Sequence, residues 1–308
     1  MFKLKRPLGL FLCGGGALGS WQSGVLAELV RQGLHFDVVA GFSIGSLNGA
    51  AYCYDKTAEL RQTWRGLKPG RILSVSPKYH DMPLELYQQS GGDPLARLGF
   101  FLQNRIAKTS LFSAKPVKEF LGGWLARSGP QFVRNIKFYV ISHAVELKLP
   151  YITAFEGSTR GHNLSFTDAL LASCAIPTVF PPVEVEEHGR RYHLVDGGVI
   201  GIASINLNIL EGCRTVIMIG NSRPEDMDFR GGGPLGYFET KARRMLALHT
   251  QKIYESRVFI KSNPEVHLLK PPVDLGLDLL EFDGEKCEAA FDIGEAEGPR
   301  FLRSAEIS

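Results

Sequence analysis

The sequence predicts an α/β protein, a three-layer α/β/α sandwich around a mostly parallel sheet, folded as one domain. Three observations lead there. Leu8–Leu12 is an apolar run that ends in Gly14-Gly15-Gly16, the pattern of a buried strand entering a tight turn. From Ala17 to Gln32 the apolar residues Leu18, Trp21, Val25 and Leu29 recur at helical spacing, and Gly33 follows as a helix terminator. The order then repeats, with a strand over Phe36–Phe42 and a helix over Ile44–Tyr54. Strand, turn and helix in repetition is the signature of parallel strands joined by crossover helices.

The rest of the chain extends this scheme. The stretch from about Lys68 to Pro116 is irregular and rich in Pro, Gly and aromatics; Leu98, Phe100, Phe101, Leu102 and Ile106 within it suit an apolar cap or a packed surface insertion. Strands are expected at Ile136–Ser142, Tyr151–Phe155 and Arg191–Val195, with a helix at Phe166–Ser173. A buried strand at Thr215–Ile219 follows, then a glycine loop at Gly231 to Gly233 and an amphipathic helix over about Tyr237–Ser256. A strand at Val266–Leu269 and a helix over about Gly284–Arg303 close the pattern.

Composition narrows the class. Hydrophobic residues at 44% and charged residues at 22% are the mix of a globular protein with a substantial core. A net charge of +3 is too small to indicate a nucleic-acid partner. The five cysteines are odd in number and lack C-x-x-C spacing, which argues against a disulfide scaffold and against a zinc site; no metal is expected. Lys3, Lys5 and Arg6 precede Leu8–Leu12 as in a leader, but the apolar run is too short for one and reads as a first strand. No apolar run reaches the length of a membrane span. The expected location is cytoplasmic, or peripheral at a membrane.

Two glycine-bearing turns carry the chemistry. Gly41-Phe42-Ser43-Ile44-Gly45 is a G-x-S-x-G between a predicted strand and a predicted helix. A nucleophilic serine needs that sharp turn to project its hydroxyl, with Gly41 and Gly45 leaving room for backbone and substrate. The helix start adds free N–H groups and a positive dipole end. Gly14-Gly15-Gly16-Ala17-Leu18-Gly19 also joins a strand to a helix, and its amides suit an anion. A dinucleotide pyrophosphate would require an acid at the end of the second strand. Asp37 lies at that strand's start, and Ser43 occupies its end, so the oxyanion of an acyl-transfer intermediate fits better. A dinucleotide-dependent oxidoreductase is the remote alternative.

Asp196-Gly197-Gly198 closes a strand, which puts a carboxylate at a sheet edge with two unobstructing glycines after it; a simple Asp-Gly turn is the bland alternative. His249 and His267 follow Asp196, in the order a Ser-Asp-His triad would need, whereas His193 alternates with Val195 and should face away.

Together these motifs resemble the patatin-like phospholipase family. Gly14–Gly19 resembles its oxyanion loop and Gly41–Gly45 its nucleophile elbow. Ala172-Ser173-Cys174-Ala175-Ile176-Pro177, with Phe180-Pro181, resembles its Ala-Ser-x-x-x-Pro segment, and Asp196-Gly197-Gly198 its Asp-Gly-Gly motif. Lesser echoes stand at Leu111-Phe112-Ser113 with Pro116 and at Asp292-Ile293-Gly294. Leu18 is a departure, since many bacterial members carry Arg or Lys there.

The resemblance implies a core over residues 8–210 with a cap-like insertion at about 68–116, and residues 211–308 completing the same domain. It implies a lipid acyl hydrolase of the phospholipase A or lysophospholipase kind, with a Ser43–Asp196 dyad and no cofactor. Gly14, Gly15, Gly16 and Gly19 would form the oxyanion loop, with Gly15 and Gly16 as donors. A lipid or phospholipid substrate implies transient contact with a membrane surface. A non-catalytic lipid-binding protein of the same shape and a Ser-Asp-His esterase are the alternatives.

Overall fold

The computed structural model describes residues 2–68, 74–75, 110, 112–133, 135–159, 164–177, 179–198, 205, 207–223 and 233–307. The chain runs β1 (Phe2–Leu4), β2 (Leu8–Leu12), α1 (Gly19–Arg31), β3 (Val38–Phe42), α2 (Ile44–Cys53), α3 (Leu60–Arg65), β4 (Ser74–Val75), β5 (Phe112–Ser113), α4 (Lys115–Ala126), β6 (Lys137–Ala144) and β7 (Leu149–Glu156). It continues through α5 (Phe166–Ser173), β8 (Val183–Glu187), β9 (Arg190–Val195), β10 (Thr215–Ile219), α6 (Gly233–Glu255), β11 (Glu265–Leu269), α7 (Gly284–Ser304) and β12 (Ala305–Ile307).

The main sheet has eight strands in the order β11-β10-β2-β3-β6-β9-β8, with β7 also paired to β6. β11, β10, β2, β3 and β6 are mutually parallel. β2 and β10 are buried at every position, which is why they read as unbroken apolar runs rather than alternating ones. One face of the sheet presents Leu10, Leu12, Val39, Phe138 and Val140 to Trp21, Ala50, Leu170 and Phe291 of α1, α2, α5 and α7. The other face presents Phe11, Ala40, Phe42, Val216 and Met218 to Ile253 of α6 and to the turn at Leu207–Leu210. Helices thus cover both faces, giving the three layers.

The flanks of β6 place the site. His143 pairs with Pro150 of β7 on one flank, so its pairing with Val195 of β9 must use the other. That second flank is the one on which Phe42 of β3 faces Ile141. β3 runs up it and β9, antiparallel, runs down it. The two strands meet head to head, and their next residues are Ser43 and Asp196.

Local sequence explains the element ends. Ser165 caps α5 by accepting from the Asp168 N–H at 3.0 Å, and Asp283 caps α7 through the Lys286 N–H at 3.0 Å. α7 crosses α1 so closely that a Cβ on Gly294 would lie 2.0 Å from the Trp21 carbonyl oxygen, which gives the Asp292-Ile293-Gly294 echo a packing role. Several expectations need adjusting. Pro116, expected to close the irregular stretch, sits in the first turn of α4. Gly233 belongs to α6 rather than to a loop. β9 is antiparallel to β6, and α3, α4, β1, β4, β5, β8 and β12 are elements that the sequence pattern does not announce. The proposed cap residues Leu98, Phe100, Phe101, Leu102 and Ile106 lie outside the described residues. Among the described residues, no helix is long and apolar enough to cross a membrane.

Candidate active site

Ser43 sits between β3 and α2 with φ 53° and ψ −135°, a backbone conformation that a residue with a side chain rarely adopts. Its surroundings hold it there. The Ser43 N–H donates to the Ser173 carbonyl at 3.1 Å and to the Ser173 Oγ at 2.9 Å, while that hydroxyl donates to the Ile141 carbonyl at 2.6 Å. The Ser43 carbonyl accepts from Ser46 N–H at 2.9 Å and Ser46 Oγ at 2.7 Å. Gly41 and Gly45 are needed for contact distance: a Cβ would lie 2.6 Å from the Gly45 oxygen in the first case and 2.2 Å from the Leu12 oxygen in the second.

Asp196 is 1% exposed. Its N–H donates to the Ala175 carbonyl at 2.9 Å, and its Oδ1 accepts from the Gly198 N–H at 2.6 Å. The Ala172–Pro177 segment therefore bonds both centres: Ser173 holds Ser43 and Ala175 holds Asp196. Burial pushes the Asp196 carboxyl up from 3.8 to about 6, against the smaller downward pulls of the nearby Ser43 hydroxyl and of the Gly198 N–H. A carboxylate with that environment is a better base than an exposed aspartate. A Cβ on Gly198 would crowd Asp196 Oδ1 at 3.0 Å and the Phe42 ring at 3.1 Å, whereas Gly197 has ordinary space around it.

The glycine loop packs on the same floor. A Cβ on Gly14 would meet the Phe42 ring at 2.7 Å and Ser43 Cβ at 3.0 Å, and one on Gly19 would meet Ile44 Cγ1 at 2.4 Å. Phe42 thus underlies both Gly14 and Gly198 and spaces the two loops. Gly16 has φ 54°, and a Cβ there would fall 2.1 Å from the Leu279 oxygen. That same oxygen accepts from Ala17 N–H at 2.8 Å. Gly15 abuts Asn221, whose amide donates to the Cys13 and Gly14 carbonyls at 2.9 and 3.0 Å. Among the described residues, no acceptor engages the Gly15 or Gly16 N–H.

Residues that no motif announced support this loop. Glu239 Oε1 on α6 accepts from Leu279 N–H at 2.8 Å and from Arg243 Nε at 2.7 Å, so a buried ion pair carries the strand of backbone that touches Gly16 and Ala17. Asn48 on α2 donates to Gly19 O at 3.0 Å and Gln22 Oε1 at 2.9 Å, and Gln22 donates to Cys13 O and Ile219 O. The only sequence signal for either is a polar side chain on an otherwise apolar helix face.

Two cavities open at Ser43. One, of about 130 Å³, runs between α2, α3 and α4 past Leu47, Trp64, Phe120 and Trp124 to Phe282. The other, of about 220 Å³, lies against α6 and is bounded by Asp196, Gly15, Gly198, Ala242, Met245 and Leu246. Among the described residues, no histidine lines either one. His249 is buried behind Gly198, whose backbone it contacts, and burial pulls its imidazole below the usual range. His267 lies on the edge strand β11 with its ring 5.7 Å from that of Phe301, and His193 engages Glu146. Asp37 is a structural group at the far end of β3: its carboxylate accepts from Leu8 N–H at 2.7 Å and pairs with Arg6. Among the described residues, no group of His, Cys, Asp and Glu has the arrangement of a metal site.

Comparison with known proteins points to the same family. A sequence model described as patatin-like phospholipase matches residues 10–207. Patatin-like phospholipase domain-containing protein 7 of Rattus norvegicus is 24% identical over 98% of this chain, which spans 21% of that protein. Lysophospholipase NTE1 of Saccharomyces cerevisiae is 25% identical over 97% of this chain and 16% of its own length. The chain therefore spans about a fifth or less of these relatives. Among solved structures, VipD from Legionella pneumophila aligns over 97% of this chain and 75% of its own, with 11% identity and a TM-score of 0.41.

Proposed function

The chain belongs to the patatin-like phospholipase family, and from that premise we propose that it is a lipid acyl hydrolase working through a Ser43–Asp196 dyad. The observation that carries this reading is the meeting of β3 and β9, which sets Ser43 and the buried Asp196 carboxylate together on one cavity. Ser43 Oγ attacks the ester carbonyl while its proton passes to Asp196. The oxyanion that forms is met by the Gly15 and Gly16 amides and by the first turn of α2. As the intermediate collapses, Asp196 returns the proton to the departing alkoxide, leaving an acyl ester on Ser43. Water, deprotonated by the same carboxylate, then releases the fatty acid. A lipid substrate brings the protein into transient contact with a membrane surface.

The absence of a described histidine from both cavities favours the dyad over a triad. Turnover of a lysophospholipid and labelling by a fluorophosphonate, measured on Ser43→Ala, Asp196→Asn and His249→Gln, test the reading. Ser43→Ala should take no label. Asp196→Asn should lose about 10³-fold or more in kcat. His249→Gln should stay within about tenfold of wild type, since its contact is with backbone at Gly198. A His249 loss as large as that of Asp196, or labelling that survives Ser43→Ala, would sink the dyad.

A further inference from the structure

The two cavities at Ser43 are not equivalent. Both are bounded by Gly16, Ser43, Ile176 and Leu280, so a substrate ester at Ser43 opens into each. Only the cavity against α6 also contains Asp196 and Gly198. In acyl transfer the group that protonates the leaving oxygen must stand beside it. The leaving alcohol therefore belongs on the Asp196 side, and the acyl chain in the cavity that runs to Trp64 and Phe282.

Among the described residues, the side chains that line the leaving-group cavity are mostly apolar. Its walls are Ala242, Met245 and Leu246 of α6 with Leu279 and Leu280 opposite. Among the described residues, its one charged side chain apart from Asp196 is Lys241, which is exposed and turns its ammonium onto the Tyr237 ring at 4.9 Å. Walls of this kind penalise a solvated, charged group that must shed its water without finding partners. They favour hydrocarbon, each buried methylene strengthening binding by about fourfold.

From this we infer that the leaving alcohol carries a hydrocarbon chain of its own, so that the preferred substrates are two-chain lipid esters rather than single-chain lysolipids. The inference rests on the hydrolase reading above and adds the class of ester. A diacyl lipid would thread its scissile chain along α2, α3 and α4 and its second chain along α6.

Two measurements test it. In the first, wild-type protein is given hexanoate esters of butanol, hexanol and octanol. The value of kcat/KM should rise with the alcohol, by about fourfold per methylene at most. In the second, dipalmitoyl-phosphatidylcholine and palmitoyl-lysophosphatidylcholine are compared in nonionic mixed micelles at equal surface fraction. Wild type should favour the diacyl lipid by about tenfold or more, and Ala242→Phe, which fills the cavity, should cut that ratio by about tenfold. A kcat/KM that is flat or falls along the alcohol series overturns the inference even if Ala242→Phe does not fold. So does a wild-type preference for the lysolipid. Loss of all ester turnover together with fluorophosphonate labelling would be a different failure, that of the hydrolase reading itself.

Discussion

A carboxyl group held away from water binds its proton more tightly than an exposed one, and Asp196 illustrates the consequence for both stability and rate. Its folded value of about 6 stands above the 3.8 of the unfolded chain. The native state therefore holds the extra proton between these values. The stabilisation this confers is complete below about pH 4 and is lost as pH rises through about 6. At neutral pH the ionised group costs on the order of 3 kcal/mol. Asp196→Asn keeps the shape and an acceptor for Gly198 N–H but removes the buried charge. Its melting temperature at pH 7.5 should exceed that of wild type by several degrees, with the gap closing toward pH 4. The wild-type kcat/KM should fall below an apparent pKa near 6, because the protonated acid accepts nothing from Ser43. A variant melting below wild type at neutral pH would show that the buried charge is not a burden. Ser43, Asp196 and their glycines were legible in the sequence because a strained turn and an unobstructed carboxylate each demand particular residues. Ser173 was legible only as part of a family resemblance. Its partners, Ser43 N–H and the Ile141 carbonyl, are 130 and 32 residues away, and no local pattern encodes such bonds.

Among the elements, α6 has a role that its amphipathic pattern did not announce. Through Glu239 it holds the Leu279 N–H, and the Leu279 carbonyl holds Ala17 beside Gly16. Burial raises the Glu239 carboxyl while Leu279 N–H and Arg243 oppose that rise. Removing Glu239 leaves the Leu279 N–H without its acceptor, while Arg243 keeps the Leu277 carbonyl and Asp278. Glu239→Ala should lose about 1–3 kcal/mol of stability. The proposed oxyanion role of the glycine loop predicts that, in protein that remains folded, kcat falls by about tenfold or more with little change in KM. Glu239→Gln, which retains an acceptor for Leu279, should recover part of the rate. Equal losses in both variants would point to packing alone. The elements that read clearly were those with strong patterns. Phe166–Ser173 and Thr215–Ile219 fall where expected because a capped apolar helix and a doubly buried strand are unambiguous. β8 escaped notice because Val183–Glu187 carries three glutamates and only Val185 is buried. α4 was obscured by Pro116 and by Gly122-Gly123, although Pro is well tolerated in a first turn.

For the molecule as a whole, the arrangement of strands explains why distant motifs meet. The sequence suggests parallel strands ending at one edge, and β2, β3, β6, β10 and β11 conform. The direction of β9 was not legible, since strand polarity depends on connections rather than on composition. Its descent along β6 from beyond the end of β3 brings Asp196 onto Ser43. The glycine loop after β2 and the elbow after β3 then share Phe42 as a floor, and the two cavities leave the junction in different directions. Cavity shape is a product of packing between α2, α3, α4 and α6, and no motif in the sequence reports it.

A crystal structure of the protein after reaction with a long-chain alkyl fluorophosphonate would examine the whole arrangement at once. The expected adduct joins phosphorus to Ser43 Oγ, with the phosphoryl oxygen about 2.7–3.1 Å from the Gly15 and Gly16 nitrogens. The Asp196 carboxylate should lie against the Oγ and the alkyl chain in the cavity lined by Trp64 and Phe282. Phosphorus on any other side chain, or a phosphoryl oxygen turned away from the glycine loop, would contradict the dyad and its oxyanion site.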